Sequence, residues 1–148
     1  MRKNLFTGFT LIELLVVVAV LGVIAAIGTI SYGSYVTSSK MSSAENTMQQ
    51  IALAQTEYYS DIGSYYVEGT ACDPSVKNTK NISKEDNLGV PIGLKDDEPV
   101  LGFLFCIEGS GANYEIVALA EFGPAEKAKR CEITFKSSDQ AAARNEYC

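Results

Sequence analysis

The stretch that decides the fold is Gly8-Phe9-Thr10-Leu11-Ile12-Glu13, which opens a long apolar run near the start of the chain. Two cations, Arg2 and Lys3, precede it, and Glu13 is the only charged side chain between Lys3 and Lys40. A carboxylate near the centre of a bilayer costs about 2.5–3.5 kcal/mol on insertion scales. The partner of Glu13 is therefore the first question that the sequence raises.

The length of the run favours a membrane anchor over a cleaved secretory signal. A Sec signal has an apolar core of about 7–15 residues and a small-residue cleavage site after it, whereas a spanning helix needs about 20 apolar residues. Phe9 to Ile30 supplies that length, and the cations before it would hold the N-terminus in the cytoplasm. Neither class accounts for Glu13, because acids inside membrane segments are usually functional.

These residues resemble the class III signal of type IV pilins and of the pseudopilins of type II secretion. The shared features are a glycine, a phenylalanine and a glutamate at set spacing within an apolar run, here Gly8, Phe9 and Glu13. The resemblance implies that a prepilin peptidase cuts between Gly8 and Phe9 and methylates the new amino group of Phe9. It also implies that Glu13 meets the N-terminal amine of a neighbouring subunit in a filament, since a buried carboxylate is tolerable when paired and costly when not.

One position departs from the family. Many type IV pilins have a proline where this chain has Ile30, so the bend of the helix stays open. Gly22 and Gly28 lie upstream, and each weakens a helix by up to about 1 kcal/mol. They favour either local melting or close packing between membrane helices.

Beyond Ser31 the composition turns polar, but no proline or glycine after Gly33 interrupts the chain before Gly63. Apolar side chains recur near helical spacing, which predicts an amphipathic helix that continues from the anchor. We expect helix from about Thr10 to Tyr59, ended near Gly63, with its apolar stripe packed on a sheet. The stripe comprises Ala44, Met48, Ile51, Tyr58 or Tyr59, and Ile62.

The remainder predicts a long loop and then a small antiparallel sheet. Residues 67–98 lack a sustained apolar period and indicate an ordered loop with at most a short strand. Within it, residues 95–98 could offer oxygen ligands to calcium, but no EF-hand spacing is present and a solvated turn is favoured. Three alternating stretches predict strands, at residues 101–107, 114–120 and 132–135, with a turn at Gly109-Ser110-Gly111 between the first two.

The cysteines predict two disulfides in an oxidising compartment, because their number is even and the N-terminus resembles that of an exported protein. Four cysteines allow three connectivities. A zinc site is disfavoured, since the chain has no CxxC pair and no His. Resemblance to type IVa pilins implies a D-region bridge between Cys131 and Cys148, which leaves Cys72 to pair with Cys106.

The composition argues against several classes of function. The chain has 148 residues, 12 Lys and Arg, 18 Asp and Glu, no His and a formal net charge of −6. We expect no enzyme, no cofactor and no metal, because no nucleophile is paired with a base and neither metal-ligand spacing nor a cofactor loop is present. Nucleic-acid binding is disfavoured by the acidity. Five cations cluster near the C-terminus, but interleaved acids nearly cancel them: Lys127, Lys129, Arg130, Lys136 and Arg144.

The resemblance as a whole implies an α+β type IV pilin fold, with a long N-terminal helix on a small antiparallel sheet and a disulfide-closed C-terminal loop. The hydrophobic half of that helix is expected to protrude. The expected division is a leader (1–8), a membrane and filament-core helix (9–32) and a globular head (33–148), which holds an αβ-loop (63–98), a sheet (99–137) and a D-region (131–148).

The implied function is that of a structural subunit of a surface filament used for adhesion, twitching motility or DNA uptake. Its implied partners are copies of itself and other pilins, the prepilin peptidase and methyltransferase, and an inner-membrane assembly platform with separate ATPases. The inner membrane would hold the protein before assembly. The alternatives are a pseudopilin of type II secretion, a minor pilin acting as a DNA or surface receptor, and a membrane-anchored periplasmic enzyme or binding module.

Overall fold

The computed structural model describes residues 8–110 and 112–148, so Arg2, Lys3, most of the predicted leader and Gly111 of the predicted turn lie outside the described residues. The contacts divide the chain into two units, Met1–Ser39 and Lys40–Cys148. The α+β class is confirmed. The helices and strands are α1 (Leu11–Ile62), α2 (Val76–Ile82), β1 (Leu94–Lys95), β2 (Glu98–Pro99), β3 (Phe103–Ser110), β4 (Asn113–Ala120), β5 (Glu132–Lys136) and β6 (Ala142–Arg144), with a 3₁₀ turn at Lys127–Lys129.

Helix α1 matches the predicted long helix and runs without interruption through Gly22 and Gly28. Its end has a local cause. Gly63 has a φ of +80°, a left-handed conformation that glycine adopts without steric cost. The Gly63 N–H donates to the carbonyl of Tyr59 at 2.8 Å, which closes the last turn before the chain leaves the helix.

The predicted apolar stripe of α1 is confirmed over its first half. Ala44, Met48 and Ile51 are fully buried in the core. The prediction is wrong for Ile62, which is 63% exposed. Of the two alternatives Tyr58 and Tyr59, Tyr58 is half-buried and Tyr59 is 45% exposed. The stripe instead begins at Met41 and ends at Gln55, both of which are buried. Residues seven positions apart do not point in the same direction on a helix with 3.6 residues per turn. A row of such residues therefore drifts around the helix and leaves the surface of the sheet after a few turns.

Gln55 is a buried polar residue that ties α1 to the chain beyond its end. Its Nε2 donates to the Tyr66 carbonyl at 2.6 Å, and its Oε1 accepts from the Tyr66 N–H at 2.9 Å. Both hydrogen-bonding groups of one peptide residue are thereby satisfied, as burial requires. An apolar residue at position 55 would leave the N–H and carbonyl groups of Tyr66 without these hydrogen bonds.

The main sheet has four antiparallel strands in the order β3-β4-β5-β6. Its register places a small residue between two large ones, since Ala118 lies opposite Phe105 on β3 and opposite Ile133 on β5. All three are fully buried and belong to the same core cluster as Met48 and Ile51 of α1. Alternating large and small side chains let the layers interdigitate at the density of a protein interior.

The predicted alternation of β3 is only partly right. Phe103, Phe105 and Ile107 are buried as expected, but Leu104 and Cys106 between them are also buried. A disulfide from Cys106 to Cys72 brings the chain near residue 72 onto this second face of the sheet. A sheet covered on both faces shows a continuous apolar pattern rather than an alternating one. Leu101 precedes β3 instead of belonging to it.

The region 67–98 is more structured than the predicted loop. It contains α2, which was not predicted, and the short β1–β2 hairpin. Ser75 is the N-cap of α2, and its hydroxyl accepts from the Asn78 N–H at 3.3 Å, a standard way to satisfy a helix N-terminus. In the hairpin, Asp96 and Asp97 both have positive φ values, which are typical of a tight two-residue connection.

This region covers the outer edge of β3. The Thr79 hydroxyl accepts from the Phe105 N–H at 2.9 Å, and a Glu68 carboxylate oxygen accepts from the Ile107 N–H at 3.3 Å. The Gly109 N–H donates to the Gly69 carbonyl at 3.0 Å. An open edge strand is a template for pairing with another chain. Three successive outward N–H groups of β3 are satisfied within the molecule instead.

Replacing Thr79 by Val should destabilise the protein by about 1–3 kcal/mol, because the isosteric side chain leaves the buried Phe105 N–H without its acceptor. Thr47 is a matched control. It is also buried, but its hydroxyl only donates to the Ser43 carbonyl within α1, so Thr47→Val should have a much smaller effect. Denaturant unfolding of the full chain in detergent, with disulfides intact, measures both. Equal losses would contradict the edge-closing role.

Glu68 predicts a pH dependence of stability. Burial raises the pKa of this half-buried carboxyl, while the bonds from Ile107 and Asn81 and the charge of Lys77 oppose the rise. The native state therefore favours the protonated form of the Glu68 carboxyl. Its contribution to the free energy of unfolding is fully present below the carboxyl pKa of the unfolded chain, and it is lost as the pH rises through the carboxyl pKa of the folded protein.

The stability of Glu68→Gln relative to the wild type should therefore increase as the pH is raised over the range that begins near the unfolded carboxyl pKa of about 4.3. Thermal unfolding across that range is the measurement. Glu57→Gln, at an exposed position of α1, is the control. A gain as large in the control as in Glu68→Gln would rule out the burial of Glu68 as the cause.

Candidate functional site

The first unit carries an apolar surface that the described chain leaves uncovered. Among the described residues one helix is long and apolar enough to cross a membrane, the 18-residue window Leu11–Gly28 with mean hydropathy 2.8 and none of it buried. Phe9, just before it, is 83% exposed. Every large apolar side chain here needs either lipid or another helix to remove it from water.

Glu13 finds its first partner in its own chain. The Thr10 N–H and the Thr10 hydroxyl both donate to Glu13 Oε2, at 3.0 and 2.7 Å. The Thr10 oxygen in turn accepts from the Glu13 N–H at 3.3 Å. Thr10 immediately precedes α1 and Glu13 is its third residue, so the two side chains form a capping box. A carboxylate in the first turn also interacts favourably with the helix dipole.

The capping box leaves one carboxylate oxygen uncommitted. Both bonds from Thr10 go to Oε2, and within the described residues Oε1 accepts no hydrogen bond. Phe9 and Glu13 line one shallow groove along the start of α1, together with three apolar residues, Ile12, Val16 and Val17. The predicted site residues Phe9 and Glu13 are therefore brought together, and Gly8 precedes them in an exposed, non-helical segment.

Thr10 is the residue of this candidate site that was not predicted from the sequence. Its signal was present in the sequence, because a threonine three residues before a glutamate at the start of an apolar run is a capping-box pattern. The resemblance drew attention to glycine, phenylalanine and glutamate. The structure adds the hydroxyl that orients the glutamate.

The second unit contains two disulfides, Cys72–Cys106 and Cys131–Cys148. These are the same two pairs that the resemblance implies. The second bridge ties the C-terminus to the start of β5, and β6 forms between its ends as an extra strand that was not predicted. Arg144 on β6 donates to Glu45 of α1 at 2.7 Å, and this bond raises the pKa of the guanidinium.

The five clustered cations do not form an open basic patch. Each lies within 4.0 Å of a carboxylate, but of the acids interleaved with them near the C-terminus only Glu126 is a partner, and the others come from elsewhere in the chain. The pairs are Lys127–Asp73, Lys129–Glu126, Arg130–Glu121, Lys136–Glu115 and Arg144–Glu45. The cations of this surface are therefore interspersed with acids in the folded protein.

The acidic residues of the turn at 95–98 have structural roles in the hairpin. Asp97 pairs with Lys80 of α2, and Asp96 and Asp97 form the hairpin connection. Over the described part of the chain, no group of three or more potential metal-ligating side chains is found. Residues 95–98 are exposed, as a solvated turn requires.

Comparison with known proteins agrees with this geometry. Residues 3–29 match the family described as the prokaryotic N-terminal methylation motif. The chain is also similar to the fimbrial protein EcpC of Eikenella corrodens, with 44% identity over 71 residues, which cover 48% of this chain and 46% of that protein. The match thus spans about half the length of the relative. No solved structure matches significantly.

These findings confirm the predicted resemblance to type IV pilins. The chain carries the N-terminal methylation motif on an apolar helix, followed by an α+β unit with two disulfides. The chain therefore resembles pilin-type proteins, most clearly in its N-terminal part.

The capping box predicts a local effect of Thr10. Thr10→Ala should cost about 0.5–2 kcal/mol of helix stability at the first turn, so amide hydrogen exchange should quicken at the start of α1 in detergent micelles. Thr10→Ser should keep the cap. Thr37→Ala is the control, because its hydroxyl donates only to Gly33 within the helix. Unchanged exchange in Thr10→Ala would contradict the cap.

Proposed function

We propose that this chain is a structural subunit of a type IV pilus, which polymerises through the N-terminal part of α1 into a filament on the bacterial surface. The observation that carries the proposal is the state of Glu13. One carboxylate oxygen is held by Thr10, the other accepts no bond within the described chain, and Phe9 lines the same groove. We interpret the site as half of an ion pair whose second half is not found among the described residues.

Processing creates the missing half. A prepilin peptidase would cut between Gly8 and Phe9 and methylate the new amine, and the methylation motif at residues 3–29 supports this step. Residues 1–8 would then be the leader, 9–32 the membrane and filament-core helix, and 33–148 the head. The exposed, non-helical position of Gly8 leaves the bond accessible.

The free oxygen of Glu13 then receives the Phe9 amine of a neighbouring subunit. In a filament core the exposed side chains of Leu11–Gly28 would pack against other helices, and an unpaired carboxylate there would be costly. A cationic amine on Oε1 removes that cost without displacing Thr10 from Oε2. Subunits would therefore align at the axial position that brings these two groups together.

The same helix explains the route to the surface. Before assembly, the apolar segment would hold the subunit in the inner membrane with its N-terminus in the cytoplasm. An assembly platform with separate ATPases would then extract it into the filament. The head would be displayed outside the cell, where its two disulfides persist in an oxidising compartment.

Among filament roles, adhesion and twitching motility are favoured over DNA uptake, because the clustered cations are paired with acids. A pseudopilin of type II secretion would share the same N-terminal device. The second bridge and the paired β6 strand close the C-terminal loop, and this favours a pilin that withstands shear.

Substitution of Glu13 separates the ion pair from the cap. Glu13→Gln keeps a capping-box side chain but removes the charge, whereas Glu13→Val and Glu13→Ala remove both. All three should leave a membrane-inserted protein, and all three should enter filaments poorly, because none carries the negative charge needed for an ion pair with the amine. Immunoelectron microscopy of sheared filaments and fractionation of membranes measure the two properties.

The control is Thr10→Ala, which loses the cap and keeps the charge, so it should assemble better than Glu13→Gln. Normal incorporation of Glu13→Gln would overturn the pairing account. Label confined to short periplasmic assemblies, with none on surface filaments, would favour the pseudopilin.

A further inference from the structure

Two tyrosines of the first unit lie at exposed positions just beyond the apolar segment. Tyr32 is 71% and Tyr35 73% exposed, and because they are three residues apart they share one face of α1. Neither hydroxyl makes a hydrogen bond within the described part of the chain. In the second unit, by contrast, tyrosines pack in ring contacts: Tyr58 on Tyr66, Tyr59 on Tyr65, and Tyr65 on Tyr114.

The distance from these tyrosines to Glu13 matches the thickness of a membrane. Helix α1 is continuous over this stretch, and an α-helix rises 1.5 Å per residue. Tyr32 follows Glu13 by 19 residues and Tyr35 by 22, so these positions lie about 28 and 33 Å from Glu13 along the helix axis. The hydrocarbon core of a typical bilayer is about 30 Å thick. A helix that crosses the membrane with the tyrosines at one border therefore has Glu13 at the other.

The segment between these two borders suits the interior of a bilayer. No charged side chain occurs between Glu13 and Lys40, and the window Leu11–Gly28 has a mean hydropathy of 2.8. Tyrosine favours the interface between hydrocarbon and water, because its ring is apolar and its hydroxyl is polar. A lipid surface therefore stabilises an exposed tyrosine at this depth.

We propose that Tyr32 and Tyr35 form an interfacial anchor, which binds the phospholipid headgroup layer on the periplasmic side of the inner membrane. The rings lie along the outermost acyl carbons, and the hydroxyls donate to phosphate or ester oxygens of the lipid. This contact fixes the depth of the helix and places the Glu13 carboxylate at the cytoplasmic border, among headgroups and water. The inference rests on the proposed membrane residence of the subunit before assembly.

This depth gives Glu13 a partner before any neighbouring subunit is present. An ionised carboxylate is costly at the centre of a bilayer. At the border, Oε1, which accepts no hydrogen bond from the described residues, accepts one from water, while Thr10 keeps Oε2. The unpaired carboxylate becomes costly only when the helix leaves the lipid for the core of a filament. The same residue is thus tolerated in the membrane and selective during assembly.

Neighbouring helices are the alternative partner of this tyrosine face. A contact between helices would also cover the two rings, but it gives no reason for their spacing of one membrane thickness from Glu13. Isolated subunits in a bilayer separate the two cases, because no second helix is then available to hold the tyrosines.

The chain has no tryptophan, so single substitutions report depth without a background signal. The full-length protein is placed in phosphatidylcholine vesicles at a protein-to-lipid ratio low enough to keep it monomeric, and its emission is quenched with lipids brominated near the headgroup or near the end of the acyl chain. Tyr32→Trp and Tyr35→Trp should be quenched more strongly by the shallow bromines, as should Leu14→Trp beside Glu13. Leu21→Trp, near the middle of the apolar segment, should be quenched more strongly by the deep bromines.

A second set of variants tests whether the tyrosines set this depth. Tyr32→Leu and Tyr35→Leu, made together in the Leu14→Trp protein, lengthen the apolar run at its far end. The helix should therefore shift towards its N-terminus by about 4–5 Å, the rise of three residues. The emission of Leu14→Trp should then move to longer wavelength and lose quenching by the shallow bromines. Tyr147→Leu is the matched control, since Tyr147 is an exposed tyrosine of the second unit, and it should change neither signal.

The anchor is overturned if Tyr32→Trp and Tyr35→Trp are quenched as deeply as Leu21→Trp, or if neither lipid quenches them. It is also overturned if the paired leucine substitutions leave the emission of Leu14→Trp unchanged. Failure of the pilus proposal is distinguishable, because filament entry is measured in cells. A chain that inserts at the expected depth but never enters filaments contradicts the pilus proposal alone, and a chain that enters filaments after inserting at another depth contradicts the anchor alone.

Discussion

The second unit depends on the packing of one stripe of α1 against the inner face of the β3-β4-β5-β6 sheet. Met48 and Ile51 are fully buried there with Phe105 and Ile133. A small unit buries a limited apolar surface, so its few buried side chains supply much of its stability. Many other features of this unit lie at the edges of this helix–sheet contact, where they satisfy main-chain groups or hold covering segments in place.

Those borders are closed by polar groups. At the outer edge of β3, Thr79 and Glu68 satisfy main-chain N–H groups, and at the end of α1 Gln55 satisfies Tyr66. No buried side-chain nitrogen or oxygen in the described part of the chain lacks a hydrogen bond. Each polar residue stands where an apolar one would leave a backbone group unpaired, at a cost of about 1–3 kcal/mol. The disulfides then hold the covering segments in place.

In the first unit, by contrast, the apolar side chains stay exposed in the single chain. Two separate partners account for the carboxylate of Glu13 on this apolar surface. Thr10 holds one oxygen locally, and a neighbour's amine is proposed for the other. An acid that looks misplaced in an anchor is thus stabilised at the helix N-terminus, and we propose that its remaining hydrogen-bonding capacity aligns subunits during assembly.

The amino-acid sequence by itself determined the long helix, its end at Gly63 and the α+β class, and it singled out Glu13 for the proposed assembly role, because these follow from local patterns of spacing, glycine and charge. Thr10 was also within reach, since a capping box is local. Tertiary structure alone decided the burial of Gln55, the strand β6, the helix α2 over the edge of β3 and the pairing of Arg144 with Glu45. Each of these depends on groups distant in sequence that meet only when the chain folds, and no local pattern records what lies opposite a side chain.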